Sequence, residues 1–477
     1  MNYISTRGQA PILGFEDTLL VGLASDGGLY VPQNWPKLDA ATLSSFAHAP
    51  YGDVARLVLS PFIGDALAAE KLGGLIDEAY ANFSVPEIAP LRALEDGHYL
   101  LELFHGPTLA FKDIAMQILA RLMDDALTRR GHRATIIGAT SGDTGGAAIE
   151  AFRGLKSVDI FTLFPDGRVS DVQRKQMTTP DDENVHTLAV NGTFDDCQAL
   201  VKAMFNDAAF RQEIGMAAVN SINWARVMAQ SVYYFTAVAQ LDVLGALAKK
   251  EAKKGVCFCV PTGNFGDIFA GYVAAQMGLP VAKLLIATNV NDILARTMET
   301  GTYAMGPVVA TQSPSMDIQI SSNFERLLFE LTGRNPARLC AQMEALQSAG
   351  QFDLASQELE QMRVLFAAER VDEDETLHIM RDIYNRFDFQ LDPHSAVGVG
   401  AARHYRRRAN VPDDIVMVSL ATAHAAKFPD VAQKAYGNAP DTPQRVRDMM
   451  ALPERFVQVD NDVKAVQSLV RKKCRPD

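Results

Sequence analysis

The chain has few cysteines and no long apolar run, and both absences exclude classes of protein. Its five cysteines are scattered over 477 residues, without a CxxC pair and with an odd total. This pattern is typical of a reduced intracellular protein. No segment approaches the roughly 20 apolar residues that cross a membrane, and residues 1–10 contain one arginine and no apolar core of a secretory leader. We therefore expect a cytoplasmic protein.

Positive charge is also in short supply. The sequence has 45 Lys and Arg residues against 57 Asp and Glu residues, a formal net charge of -12. This balance argues against nucleic acid or an anionic membrane as a partner. An acidic enzyme that binds an anionic substrate must then gather its cations locally. The length of 477 residues exceeds what one core usually organises, so we expect two or three domains.

The order of strand and helix signals predicts an α/β protein. Residues 1–90 mix short apolar runs with turn signals and predict a small accessory domain. From about residue 98, strands alternate with glycine-rich turns and helices, which predicts parallel sheets with helices on both faces. The predicted strands are 99–104, 134–138, 158–164, 256–260, 284–287 and 415–420, and the predicted helices include 223–250 and 268–277. The charged stretch 325–390 predicts a solvated helical bundle.

Residues 105–113, HGPTLAFKD, carry the first candidate for chemistry. Gly106 and Pro107 end the preceding element, and an apolar helical pattern begins just after Lys112. A cation at a helix N-terminus opposes the dipole, which lowers the pKa of the lysine. Such a lysine is the nucleophile that forms a Schiff base with a carbonyl compound. The alternative is an exposed first-turn lysine beside Asp113.

A second candidate is the turn formed by Gly263, Asn264, Phe265 and Gly266, between a predicted strand and a predicted helix. Its glycines would let successive backbone N–H groups face one anion, and Asp267 would cap the helix. The alternative is a tight turn without a ligand. Because the chain lacks GxxxxGK[ST] and this turn lacks the third glycine of GxGxxG, a nucleotide-binding protein is the weaker hypothesis.

A third glycine-rich turn follows the predicted strand 134–138. It offers hydroxyl and carboxylate side chains at a helix start, those of Thr140, Ser141, Asp143 and Thr144. Such a turn can hold a substrate carboxylate, or it can be a simple helix cap.

Three further side chains lie where ligands of α/β sheets bind, at strand ends and helix starts. Thr422 ends a buried strand, where a hydroxyl can bond a ring nitrogen. Arg226 begins a helix and can bind an anion through a bidentate fork, or it is a surface arginine. His424 is either a base or a structural histidine.

Taken in order, these motifs resemble the threonine synthase family, pyridoxal-phosphate enzymes of fold type II. The resemblance runs from residues 3–8, YISTRG, to residues 422–429, TAHAAKFP, and both ends favour this family over its dehydratase relatives. It implies two parallel-sheet α/β domains and a small N-terminal accessory domain. The implied boundaries are 1–90 for the accessory domain, 91–130 with 221–477 for the large cofactor-binding domain, and 131–220 for the small domain that carries the Thr-Ser-Gly-Asp turn.

The resemblance also implies roles for the candidate residues. Lys112 would be the Schiff-base lysine and Thr422 would face the pyridine nitrogen. The implied ligands of the cofactor phosphate are Gly263, Asn264, Phe265 and Gly266, with Asp267 behind them. The implied ligands of the substrate are Thr140, Ser141, Asp143 and Thr144 for its carboxylate and Ser221 and Arg226 for its phosphate. Dehydratase relatives have Asn at the position of Asp143, and since an ionised Asp cannot donate a hydrogen bond, the role of Asp143 stays open.

The implied reaction converts O-phospho-L-homoserine and water to L-threonine and phosphate, by γ-elimination and β-addition of water. A hydroxy-amino-acid dehydratase on the same fold is the second hypothesis, and it needs no site for a substrate phosphate. The third is a catalytically silent homologue that binds a ligand or a partner. We expect a monomer or a homodimer.

Overall fold

The computed structural model describes residues 1–140, 142–217, 219–243, 255–408 and 415–475. The strands are β1 Tyr3–Ser5, β2 Tyr30–Pro32, β3 Leu91–Glu95, β4 His98–Glu102, β5 Ala134–Ala139, β6 Val158–Pro165, β7 Val185–Asn191, β8 Met216–Ala217, β9 Val256–Pro261, β10 Val281–Thr288, β11 Thr302–Ala304, β12 Gln351–Asp353, β13 Phe366–Arg370, β14 Val416–Ala421 and β15 Val457–Asp460. The helices are α1 Phe15–Val21, α2 Ala40–Ser45, α3 Tyr51–Ile63, α4 Ala69–Tyr80, α5 Lys112–Arg130, α6 Asp143–Phe152, α7 Asp171–Thr178, α8 Phe194–Asn206, α9 Ala208–Glu213, α10 Trp224–Val243, α11 Gly266–Gln276, α12 Ile293–Thr300, α13 Phe324–Leu331, α14 Pro336–Ala349, α15 Ser356–Leu365, α16 Glu373–Phe387, α17 Pro393–Arg407, α18 Pro429–Tyr436, α19 Gln444–Met450 and α20 Val463–Lys473.

The larger sheet brings three of the predicted motifs to one edge. Its strand order is β13-β10-β9-β14-β4-β3, and all neighbours are parallel except β3 and β4. Strand β4 leads into the loop before α5, β9 leads into residues 263–266, and β14 ends just before Thr422. Because β14 lies between β4 and β9, the segments after their carboxyl ends meet.

The smaller sheet has the order β15-β7-β6-β5-β8 and is parallel throughout. Strand β5 leads into the turn of Thr140 and helix α6. Strand β15 pairs with β7, Val457 opposite Leu188, so the end of the chain belongs to this sheet. Assigning all of 221–477 to the large domain is therefore wrong for β15, whose pairing depends on a distant strand and not on a local pattern.

The N-terminal segment packs against the start of helix α10. Tyr3, Trp35 and Phe62 surround Trp224, with ring centroids 5.7–6.0 Å from its ring. These side chains share one apolar core with helices of the large domain. The segment therefore fixes the end of α10 that carries Arg226.

The stretch 325–390 is not the solvated helical bundle that its charges predicted. It contains strand β13, which pairs with β10 at the edge of the larger sheet. The apolar residues Leu327, Leu328 and Phe329 of helix α13 face the core and are buried. Glu325 of the same helix pairs with Arg7 at 2.9 Å. None of the helices in the described residues combines the length and apolarity that crossing a bilayer requires.

Candidate active site

Lys112 is the first residue of helix α5 and it is buried. The residue is 8% exposed, and its Nζ lies 4.6 Å from the centroid of the Phe111 ring and 3.6 Å from Asp143 Oδ2. Burial lowers the pKa of Lys112; Asp143 opposes this shift, and the cations Lys427 and Arg226 add to it. Lys112 is therefore not the exposed first-turn lysine that was the alternative interpretation of the sequence.

The loop before Lys112 is folded onto the start of its helix. The amide and hydroxyl of Thr108 both donate to the Asp113 carboxylate, at 2.7 and 2.6 Å. A Cβ on Gly106 would lie 2.4 Å from Cβ of Asp113, so only glycine fits there. Burial raises the pKa of Asp113 to about 6, although the bonds from Thr108 act against the rise. The backbone at Lys112 is thus fixed from both sides.

The turn 263–266 forms a cup whose shape is held by packing. Phe265 has a φ of 63°, a left-handed conformation that costs about 1–3 kcal/mol in a non-glycine residue. Its side chain compensates by packing against Phe324 and Phe366, at centroid distances of 5.3 and 5.8 Å. The backbone amides of Asn264, Phe265 and Gly266 donate to no acceptor in the part of the chain that the structure describes. They are free to bind an anion.

Asp267 does not cap helix α11, which corrects the role predicted from its position. The helix has no side-chain cap, and the Asp267 carboxylate turns to two tyrosines. Its Oδ1 accepts from the hydroxyls of Tyr233 and Tyr234, while its Oδ2 meets no partner among the described residues. Burial raises the pKa of Asp267 to about 6, against the effect of both hydroxyls and of Lys112.

Asn323 joins the cup to the segment of Ser221. Its Nδ2 donates to the carbonyls of Asn264, at 2.9 Å, and Ser221, at 3.1 Å. Arg326 holds Asn323 in turn, since it donates to Asn323 Oδ1 and to the carbonyls of Ile222 and Tyr30. Sequence reasoning missed both residues: Arg326 lies in the stretch 325–390 that was predicted as a solvated bundle, and Asn323 lies just before it, outside every predicted motif.

Arg226 is a buried guanidinium with unused donors and not a surface arginine. It is 4% exposed, and Nη1 donates to the carbonyl of Val219 at 3.3 Å. Its Nε meets no partner among the described residues. Burial lowers the pKa of Arg226 to about 10, and its charge acts on Lys112. A buried cation with free donors is a site for an anion.

In the turn after β5, the hydroxyl of Thr140 can donate its proton to a ligand. Thr140 Oγ1 accepts from the amides of Gly142, at 3.0 Å, and Gly145, at 2.9 Å, which leaves its own proton to donate to a ligand. Thr144 is half-buried. Ser141, which the sequence also predicted here, lies outside the described residues.

Asp143 lies between two lysines. Its Oδ1 accepts from Lys427 Nζ and from Gln173 Nε2, both at 2.9 Å, and its Oδ2 faces Lys112. Burial alone would raise the pKa of Asp143, but the ammonium groups of Lys427 and Lys112 outweigh burial and hold it well below its usual range. An ionised carboxylate cannot donate to a substrate carboxylate. Sequence reasoning missed Lys427 as a partner, although it lies in the TAHAAKFP run.

Thr422 is held next to the lysine loop. Its carbonyl accepts from the amide of Phe111 at 2.8 Å, and its amide donates to Ser395 Oγ at 3.1 Å. Ser395 is itself bound by the carboxylate of Asp392. His424 Nδ1 accepts from the amide of Ala426 at 3.1 Å, the contact of a structural histidine.

Comparison with protein families matches three parts of the chain. Residues 2–80 match the model described as threonine synthase N terminus, residues 87–423 match pyridoxal-phosphate dependent enzyme, and residues 395–470 match threonine synthase, C-terminal. The central match alone covers more than half of the chain.

Individual relatives agree with the family models. The chain is 49% identical to a threonine synthase of Pseudomonas aeruginosa, over 98% of both chains. A crystal structure of a threonine synthase from Brucella melitensis with bound pyridoxal phosphate is 51% identical, with a TM-score of 0.95 and full coverage of both chains. The yeast threonine synthase structure is 39% identical with a TM-score of 0.92, and the match covers 99% of this chain and 98% of that one.

Proposed function

The chain belongs to the threonine synthase family, and on that premise we propose that it converts O-phospho-L-homoserine and water to L-threonine and phosphate. Members of this family depend on pyridoxal phosphate, and the residues described above fit that cofactor. The free amides of the cup match its phosphate, the buried Lys112 amine matches its aldehyde, and Thr422 matches its ring nitrogen. When bound, the cofactor withdraws electrons from the substrate and makes the proton at Cα acidic.

Lys112 moves the protons in the proposed reaction. Its Nζ accepts the proton from Cα of the substrate, releases it, and then, as a free amine again, accepts one from Cβ, which allows the phosphate at Cγ to leave. Protonation at Cγ, addition of water at Cβ and return of a proton to Cα complete the product. The lowered pKa of Lys112 suits this task, because a general base works best when its pKa is near the operating pH.

In this proposal, Arg226 determines which substrate is bound. A buried guanidinium whose Nε has no partner among the described residues fits a phosphate, which the substrate of a threonine synthase has and that of a dehydratase lacks. We assign Ser221, beside the cup, to the same phosphate. The Thr140 hydroxyl, with Ser141 and Thr144 of the same turn, is assigned to the substrate carboxylate, whereas the ionised Asp143 is not.

An absorbance spectrum of the purified protein tests the cofactor site. A band in the visible or near ultraviolet that borohydride removes, and that Lys112→Ala lacks, is the expected result. The matched control is Lys434→Ala, which changes an exposed lysine and should keep the band. A colourless wild-type protein after incubation with excess pyridoxal phosphate would contradict the assignment of Lys112.

Product analysis separates the proposed reaction from that of a dehydratase. Threonine and phosphate are expected from O-phospho-L-homoserine, and both should be lost in Arg226→Met while the visible band remains. If the protein instead formed an oxo acid from a hydroxy amino acid, at a rate that Arg226→Met left unchanged, the dehydratase would be the correct reading.

We further propose that the protein acts in the cytoplasm as a monomer or a homodimer. Its five cysteines are free thiols, as in a reducing compartment. Light scattering after size-exclusion chromatography gives the mass, and a larger assembly would contradict the second proposal.

A further inference from the structure

Lys427 is a fully buried cation that the proposed reaction does not use. It ends the short turn Ala425–Lys427 after β14, and its side chain is 0% exposed. Its ammonium group has three acceptors: the Thr108 carbonyl at 2.7 Å, Asp143 Oδ1 at 2.9 Å and Gln176 Oε1 at 3.1 Å. All three N–H donors are therefore used. Burying an ammonium group is costly unless it is paired in this way.

The Asp143 carboxylate is closer to Lys427 than to Lys112. One oxygen, Oδ1, is bound by Lys427 and Gln173, each at 2.9 Å. The other, Oδ2, is 3.6 Å from Lys112 Nζ, which is beyond hydrogen-bond distance. Two cations thus share one carboxylate, and Lys427 has the shorter contact.

The position of the Asp143 carboxylate between the two lysines matters because a nearby carboxylate changes the pKa of an amine. In a buried site, a carboxylate bound directly to Lys112 would favour its protonated form. A protonated amine is neither a nucleophile nor a base. A second cation that holds the carboxylate away from Lys112 has the opposite effect, since it favours the unprotonated form of Lys112.

We propose that Lys427 is a positioning residue that holds the Asp143 carboxylate off Lys112 and so keeps Lys112 available as a free amine. The inference rests on the role of Lys112 in the proposed function. Lys427 follows a strand of the larger sheet, whereas Asp143 and Gln176 lie on helices α6 and α7 beside the smaller sheet. The arrangement therefore forms only when the two sheets are docked.

The test measures the proton affinity of Lys112 in the full-length protein after the cofactor has been removed. The rate at which trinitrobenzenesulfonate labels Lys112 is followed by mass spectrometry over a series of pH values. In Lys427→Met the pKa of Lys112 should rise by about one unit or more, so labelling below that pKa should slow about tenfold. Lys434→Met, at an exposed position, should change nothing.

The opposite shift is expected in Asp143→Asn, which keeps the size of the side chain. Two cations without a carboxylate should lower the pKa of Lys112. The double variant of Lys427→Met with Asp143→Asn should have a lower Lys112 pKa than Lys427→Met alone, because no carboxylate remains to hold the proton. A purely structural role for Lys427 does not predict that removing its partner reverses the effect.

Two results would overturn the inference. One is an unchanged or lowered Lys112 pKa in Lys427→Met, and the other is an equally high pKa in the double variant. If circular dichroism shows that Lys427→Met does not fold, Asp143→Asn alone decides, and an unchanged or raised pKa refutes the idea. Because labelling uses no cofactor, a missing visible band would refute the proposed function without altering this result.

Discussion

Two arginines of the candidate site, Arg326 and Arg226, are both buried but differ in their hydrogen bonds. Arg326 is 0% exposed and donates to three acceptors, the side chain of Asn323 and the carbonyls of Ile222 and Tyr30. Among the residues that the structure describes, Arg226 has one acceptor, the Val219 carbonyl, at 3.3 Å. The first is held by protein acceptors, whereas the second keeps a donor, Nε, without a partner among the described residues. Variants of the two should therefore behave in opposite ways.

In Arg226→Met we expect kcat/KM for the phosphorylated substrate to fall about 100-fold or more, since hydrogen bonds to a charged group are lost. The melting temperature should stay the same or rise, because an incompletely paired buried charge is removed. Arg326→Met is the matched control and should lose about 1–3 kcal/mol of unfolding free energy for each acceptor left unpaired. Kinetics and thermal denaturation check both variants. Equal destabilisation in the two would contradict this reading of Arg226.

The buried carboxyl of Asp267 gives stability a pH dependence of known sign. Its pKa is raised from 3.8 to about 6 by burial. For an acid whose pKa is raised on folding, the stabilising contribution is fully present below the unfolded value and is lost as pH rises through the folded value. The wild-type protein should therefore lose unfolding free energy between pH 3.8 and about pH 6 on account of this group.

Asp267→Asn removes this titration. The difference in unfolding free energy between the variant and the wild type, measured by denaturant titration of the cofactor-free proteins, should shift in favour of the variant as pH rises. The shift should be on the order of 3 kcal/mol across the interval. Asp113 titrates in the same range but is present in both proteins, so its contribution cancels. Two parallel stability curves would show that Asp267 is not titrating there.

At the scale of elements, the cup depends on one close approach between two loops. A Cβ on Gly263 would lie 2.4 Å from the Ser315 carbonyl oxygen. The loop of Ser315 is itself held by His394, whose Nε2 accepts from the Ser315 amide at 3.1 Å. The carbonyl therefore has little room to move away.

Gly263→Ala should destabilise the protein by about 1–3 kcal/mol through overpacking and should weaken cofactor binding. Absorbance titration with pyridoxal phosphate and thermal denaturation measure the two effects. Gly74→Ala is the control, because Gly74 lies within α4 with nothing near its missing Cβ, and there alanine should add about 0.5–1 kcal/mol. A Gly263→Ala protein as stable as Gly74→Ala would mean that the two loops separate easily.

Some elements could be predicted from the sequence and others could not. Strands β5, β6, β9 and β14 consist mostly of apolar residues, as buried parallel strands do, and their predicted positions agree with the structure to within one or two residues. Strand β13 was missed because it lies in a charged, helix-like stretch, and β7 and β15 were not predicted. The motifs at strand ends were visible in the sequence. Their partners Asn323, Ser395 and Lys427 were not, because those contacts depend on which loops meet.

At the scale of the whole molecule, the last elements of the chain, β15 and α20, return to the smaller sheet. Helix α20 packs on the smaller sheet, where Val466 and Val470 join a core with Phe161 and Leu188. The C-terminal residues thus complete a core layer whose other residues lie much earlier in the sequence.

Val466→Asp should destabilise the smaller sheet by about 3–5 kcal/mol, because it places an unpaired charge in this core. Lys464→Asp, at an exposed position two residues earlier, should change the unfolding free energy by no more than about 0.5 kcal/mol. Hydrogen exchange should show loss of protection in β5, β6 and β7 for the first variant alone. Equal protection in both variants would mean that α20 contributes little to this sheet.

The pairing of β15 with β7 has a consequence for synthesis on the ribosome. The chain emerges from its N-terminus, so β5, β6 and β7 are available to pair long before β15 is made. Until then, β7 presents unpaired backbone N–H and C=O groups on one side, and such an edge can pair with other chains. The protein therefore passes most of its translation with an open sheet edge, and this is the interval in which we expect chaperones to matter most for its yield.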